Sequence, residues 1–149
     1  MAVKTKAGDG VIHSSVYGTL PVPSEQIFRF PKKLVGIPDY SEYALLRLEE
    51  TPFYILHALQ DDFHFILVPA EDVYSDYEFE ISSSVVELLQ IEKPTDLLTF
   101  LIVNIIDEEL FVNLKAPLLV APSSRTGCQY IIHDKDYPIR QKIFGKGTS

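Results

Sequence analysis

The sequence contains no tryptophan and one cysteine, Cys128, among its 149 residues. No disulfide can form within the chain, as suits a protein kept in a reducing cytoplasm. Basic residues are also scarce: 13 Lys and Arg stand against 21 Asp and Glu, for a formal net charge of −8. That sign argues against direct nucleic-acid binding, which draws its affinity from Lys and Arg on phosphates. It argues equally against an anionic membrane surface. No apolar run reaches the ~20 residues that span a bilayer. The lysines near the N-terminus lead into no apolar stretch of signal-peptide length. Also missing are a GxSxG elbow, a P-loop, GxGxxG and HExxH, the spacings that mark common catalytic and cofactor sites. The expectation is therefore a soluble, cytoplasmic, non-enzymatic protein without a cofactor.

What is present describes a globular chain. Hydrophobic residues make up 46% and charged residues 23%, close to the soluble average. Residues 1–10 are small and polar and are expected to be disordered; residues 11–141 form one domain, and 142–149, with two glycines, a flexible tail. Short strands are expected at Val11–Tyr17, Gln26–Phe30, Tyr43–Leu48, Phe53–Leu59, Phe63–Val68, Leu98–Ile106, Glu109–Leu114, Pro117–Ala121 and Cys128–His133. The break Glu49-Glu50-Thr51-Pro52 predicts a hairpin. One helix is expected at Ser83–Gln90, where Ser82, Ser83 and Ser84 offer N-cap hydroxyls before Val85, Val86, Leu88 and Leu89. Shorter helical turns are expected within Pro69–Tyr74 and near Thr95-Asp96. Many short strands and one or two short helices predict a mostly β domain, an antiparallel barrel or sandwich.

The candidate chemical groups are thinly spread. His13, His57, His64 and His133 lie far apart in sequence, without Cys or carboxylate partners at metal-ligand spacing. Asp61-Asp62 reads either as an acid–base pair or as a solvated turn, and the position between two strands favours the turn. Cys128 and His133 are separated by an odd offset, which on a strand puts them on opposite faces; a buried, inert thiol is the expectation. The most unusual stretch is Asp72-Val73-Tyr74-Ser75-Asp76-Tyr77-Glu78-Phe79-Glu80. Tyrosine supplies contact area at low entropic cost, and the acids would select a basic partner. The same alternation also fits aromatics on a core with a solvated acidic face. Asn113-Leu114-Lys115-Ala116-Pro117 reads as a corner between two apolar strands.

At these two stretches the chain resembles the FliW family. Asp76–Ile81 followed by Val85–Glu92 is similar to that family's YEFEI strand and VELL-I-E helix. Asn113–Leu118 is similar to its NLxAP pattern, Gly127–Ile132 to its G-x-Q-x-I-L strand with Tyr137 after it, and Pro52–Leu56 to its SPFYxL strand. The family's GIPGF block is replaced by Gly36-Ile37-Pro38-Asp39-Tyr40. The resemblance implies a flagellar assembly factor that binds CsrA, a small RNA-binding repressor of flagellin translation, and binds flagellin itself in a partner switch. A flagellin-specific export chaperone is the first alternative, and a small β-barrel enzyme a more distant one. Tyr74, Asp76, Tyr77, Glu78, Asn113, Lys115 and Pro117 are the expected partner-binding residues.

Overall fold

Alternating apolar residues set up a meander of short strands, each too narrow to bury its apolar side chains without its neighbours. The computed structural model describes residues 10–32, 34 and 40–143. Its strands are β1 (Val11–Ser14), β2 (Gly18–Pro21), β3 (Ile27–Arg29), β4 (Glu42–Arg47), β5 (Tyr54–Ala58), β6 (His64–Pro69), β7 (Leu98–Ile106), β8 (Glu109–Val112), β9 (Leu118–Ala121), β10 (Thr126–Gln129) and β11 (Gln141–Ile143). The helix α1 spans Ser83–Leu89, and 3-10 turns lie at Ser24–Gln26, Ala70–Asp72 and Pro94–Asp96.

Strands β3, β4, β5, β6, β7, β9 and β10 close into a seven-stranded barrel. Every pairing round the ring is antiparallel except β10 with β3, which meet in parallel at Thr126 and Arg29. An odd number of strands cannot alternate direction all the way round a ring, so one parallel seam is a topological necessity. The antiparallel barrel expected from sequence is present, with this one parallel pairing at its seam. Strand β7 serves two partners along one edge. Leu98–Phe100 pair with β9, and Val103–Ile106 pair with β8, which carries β11 on its far side.

The barrel interior is filled by Phe28, Phe30, Leu34, Tyr43, Leu45, Leu56, Ala58, Leu67, Phe100, Leu118 and Val120. Gly127 makes room for one of these rings: a Cβ there would lie 2.6 Å from the Phe30 ring tip and 3.1 Å from Val120. Three covers seal the outside. The β1–β2 hairpin packs Ile12 and Val22 over Ala44, Leu46 and Ile55. Helix α1 packs Leu89 over Leu119, Ala121 and Cys128. The β8–β11 ribbon brings Val112 and Ile143 to Val68, Leu101 and Val103. A barrel wall covered on both faces explains why β6 reads as a nearly continuous apolar run.

The helix matches its sequence signals closely. Ser82 caps it, its hydroxyl accepting from Val85 N–H, and Gln90 closes it in the left-handed region at φ 58. Gln90 N–H donates to Glu87 and Ile91 N–H to Val86, satisfying the last carbonyls. The expected hairpin joins β4 to β5, with Leu48 N–H on Phe53 C=O.

Three expectations are corrected, and one strand is unexpected. The strand expected over Val11–Tyr17 stops at Ser14, whose hydroxyl accepts from Val16 and Tyr17 N–H and turns the chain. Gly18 at φ 80 completes that turn and opens β2, which its glycine and proline had hidden. The strand expected from Cys128 begins at Thr126. Of the segment expected as a loose tail, Lys142 and Ile143 belong to β11 and Ile143 is buried. Residues 1–9, the GIPD stretch within 35–39 and residues 144–149 lie outside the described residues.

Candidate functional site

After β6 the chain makes a 3-10 turn at Ala70–Asp72 and a second turn closed by Tyr77 N–H on Tyr74 C=O at 3.3 Å. From Tyr77 to Ser82 exposure alternates residue by residue, with Tyr77, Phe79 and Ile81 half-buried and Glu78, Glu80 and Ser82 exposed. This is the period of an extended strand. Among the described residues no strand pairs with it; its backbone is held instead by side chains far away in sequence. The Tyr137 hydroxyl accepts from Glu78 N–H and donates to Glu78 C=O, both at 3.1 Å. Tyr130 donates to Glu80 C=O at 2.9 Å, and the Lys135 ammonium reaches Glu78 C=O at 3.4 Å. Tyr77 donates its hydroxyl to Leu114 C=O. Burial of that phenol raises its pKa above the ordinary tyrosine range.

Rings join these anchors into a row. Tyr74 stacks on Tyr77 at 6.0 Å between centroids, Tyr77 meets Tyr137 at 4.9 Å and Phe79 at 5.2 Å, and Phe79 stacks on Tyr130 at 6.0 Å. Tyr74 is exposed at 38%. Beside the row lies an open groove of about 760 Å³ whose floor includes Phe79, Ile81, Val86, Ile91 and Leu97. A smaller cleft of about 330 Å³ adjoins it, sharing Tyr77, Phe79 and Leu97 and reaching Tyr74, Tyr54 and Leu98. Asp76, Glu78 and Glu80 are exposed on this surface.

The structure brings only part of the expected set together. Tyr74, Asp76, Tyr77 and Glu78 share this surface. Asn113, Lys115 and Pro117 form the corner beneath it. The Asn113 carboxamide oxygen accepts from Lys115 and Ala116 N–H at 3.0 and 3.1 Å, an Asx turn. Pro117 is buried immediately before β9. The Lys115 and Pro117 carbonyls accept from Ile132 and Tyr130 N–H. This corner presents the Leu114 carbonyl that receives Tyr77, so it acts on the surface from below. Sequence reasoning missed what Tyr130 and Lys135 do. Their partners lie 50 and 57 residues away, and no local pattern joins them.

Two of the four histidines meet in space. His57 and His64 face each other across β5 and β6, with rings stacked at 5.8 Å and 8°. His57 is fully buried, and its Nδ1–H donates to Ala58 C=O at 2.8 Å. Its Nε2 points at Asp62 Oδ1 from 3.5 Å, within ion-pair range but without hydrogen-bond alignment. Asp62 also accepts from Ser15 N–H, and His64 Nε2 pairs with the Tyr17 hydroxyl at 3.2 Å. This cluster ties the β1–β2 hairpin to the barrel. Asp61 is occupied separately, accepting from Tyr40 and from Asp62 N–H, so the two carboxylates stand as a bonded turn. Hydrogen bonds, from Tyr40 to Asp61 and from Ser15 to Asp62, hold both carboxyls below the usual carboxylate range. Cys128 is buried, and that burial pushes its thiol up to about 11, out of nucleophilic range at neutral pH. Among the described residues no three His, Cys, Asp or Glu side chains gather to hold a metal ion, and no helix is long and apolar enough to cross a membrane.

A closed barrel carrying an aromatic and acidic strand beside an open groove places the chain among small β-barrel domains. Within that class it belongs to the FliW family, whose model matches residues 11–143. It is 31% identical over 137 residues to the flagellar assembly factor FliW of Caldicellulosiruptor saccharolyticus, covering 90% of each chain. It is 32% identical to the FliW of Carboxydothermus hydrogenoformans over 136 residues, covering 89% of this chain and 88% of that one. A crystal structure of a flagellar assembly factor FliW superposes with a TM-score of 0.84 at 26% identity, over 93% of this chain and all of the other.

Proposed function

We propose that this protein is a cytoplasmic flagellar assembly factor that works by binding proteins, with CsrA and flagellin as alternating partners and no catalytic step. The resemblance to FliW implies the cycle: export of flagellin frees the factor, the free factor sequesters CsrA, and translation of flagellin mRNA resumes. The supporting observation is the surface around Tyr74–Glu80, where exposed acids alternate with half-buried rings on a chain of net charge −8. CsrA holds RNA and is basic where it does so. An acidic partner is steered toward it, and once bound nearby it repels phosphates across about 8 Å of physiological salt. Tyr74 and Tyr77 supply anchors of the aromatic kind that carry interface energy. Asp76 and Glu78 supply the charge, while Asn113, Lys115 and Pro117 keep the surface in shape.

Purified CsrA and flagellin, offered singly and then together, test this reading. Each should bind alone, and each should displace the other. Binding of flagellin without CsrA would replace the switch with an export chaperone. The double variant Asp76→Lys, Glu78→Lys should slow association with CsrA by about tenfold or more at low salt; an unchanged rate would remove these two residues from the contact.

A further inference from the structure

In an extended chain the N–H and C=O of one residue point to the same side, and those of the next residue to the other. In the Tyr77–Ile81 segment the polar groups of Glu78 and Glu80 point toward the Tyr137 and Tyr130 hydroxyls. Those of Phe79 and Ile81 therefore point away. No hydrogen bond within the described chain reaches the N–H or C=O of either residue. The segment is thus one strand with one edge clamped and the other open, and it is straightened before any partner arrives. It also forms a wall of the 760 Å³ groove.

The charge around that groove is uneven. Glu78, Glu80, Glu92 and Asp134 line it with Lys93 and Lys135, an excess of two acids (four less two), and the Lys135 ammonium is turned to the Glu78 main-chain carbonyl. A second copy of this acidic chain is a poor occupant on charge. We infer that Tyr77–Ile81 is a preformed docking strand whose open edge takes an extended Lys- or Arg-bearing segment of a protein partner by strand addition. Main-chain hydrogen bonds from Phe79 and Ile81 hold that segment in register. Its alternate apolar side chains enter the groove over Val86, Ile91 and Leu97, and its basic ones meet Glu78, Glu80 and Glu92. The tyrosine clamp lowers the ordering cost that a loose loop would meet on binding.

This inference rests on the protein-binding reading above and goes further in naming the mode. Amide hydrogen exchange on the full chain, free and saturated with CsrA or with flagellin, tests it. In the free protein the Phe79 and Ile81 amides should exchange rapidly and the Glu78 amide slowly. In at least one complex Phe79 and Ile81 should slow at least tenfold. Binding that leaves both amides at their free rates overturns strand addition and leaves the partner reading intact. Protection already present in the free chain would show that another part of this protein covers the edge, and overturns it too. If neither CsrA nor flagellin binds, both readings fall. As a second measurement, Ile81→Pro deletes one donor and should weaken binding about tenfold more than Ile81→Ala, which keeps it. Equal losses in the two variants would show that the edge is unused.

Discussion

Two segments are laid against the outside of the barrel, and they are held in opposite ways. The β1–β2 hairpin carries its own ladder, from Val11 opposite Pro21 to Ser14 opposite Gly18. It buries Ile12 and Val22, and a polar cluster of Asp62, His57 and His64 fastens its turn. The Tyr77–Ile81 segment has no ladder and relies on distant tyrosine hydroxyls and a half-buried row of rings. The first is finished as a cover and offers a partner little. The second keeps main-chain groups in reserve. Clamping a strand from one edge with side chains is a way to hold it straight without using up the other edge.

Substitutions can break this contrast in order of size. Ile12→Ala empties a buried position under the hairpin and should cost about 2–3 kcal/mol of global stability, read from urea denaturation. A loss under about 1 kcal/mol would mean that the hairpin is a loose appendage. Tyr77→Phe strips the Leu114 carbonyl of its donor and should cost about 1–2 kcal/mol, with the thermal midpoint as readout.

Acid should act on the hairpin side. Burial pulls the His64 pKa below its ordinary value of 6.5, with the neighbouring His57 adding to this and Asp62 opposing. The folded state therefore favours neutral His64. That contribution is complete above about pH 6.5 and is lost as pH falls toward the lowered value. The denaturation midpoint of the wild type should fall in this window, and that of His64→Gln should stay flatter. An equal slope in both would assign the effect elsewhere. Tyr137→Phe should move global stability least, by about 0.5 kcal/mol, yet speed exchange of the Glu78 amide several-fold. Unchanged exchange there would show that the hydroxyl is not the clamp.

Much of the barrel was legible because its signals are local. The β4–β5 hairpin followed from Glu49–Pro52 between two apolar runs, and α1 from Ser82 and the spacing of Val85 to Leu89. Closure was not legible. The seam joins Thr126 to Arg29, 97 positions apart (126 − 29), and β11 is three residues beside two glycines. The site divides in the same way. The interleaved acids and rings of Tyr74–Glu80 stand out in sequence, whereas what Tyr130 and Tyr137 do emerges only when the barrel sets them beside that stretch. The pairing of His57 with His64 follows from the register of β5 and β6, which their seven-residue spacing alone does not fix. The turn between them contains Asp61 and Asp62, and the hairpin it makes stacks their rings.

The parallel seam has a consequence during synthesis. A ribosome making this chain produces β3 early, with Phe28 and Phe30 already needing an interior. The barrel that would enclose them cannot shut until Thr126–Gln129 has emerged. Through most of translation the nascent protein is an open sheet with two unpaired edges, a state prone to adhesion between chains. Contacts this distant in sequence form slowly. The final residues of β10 therefore mark the point at which the barrel can close, and Tyr130 and Tyr137 must still follow before the Tyr77–Ile81 segment is clamped.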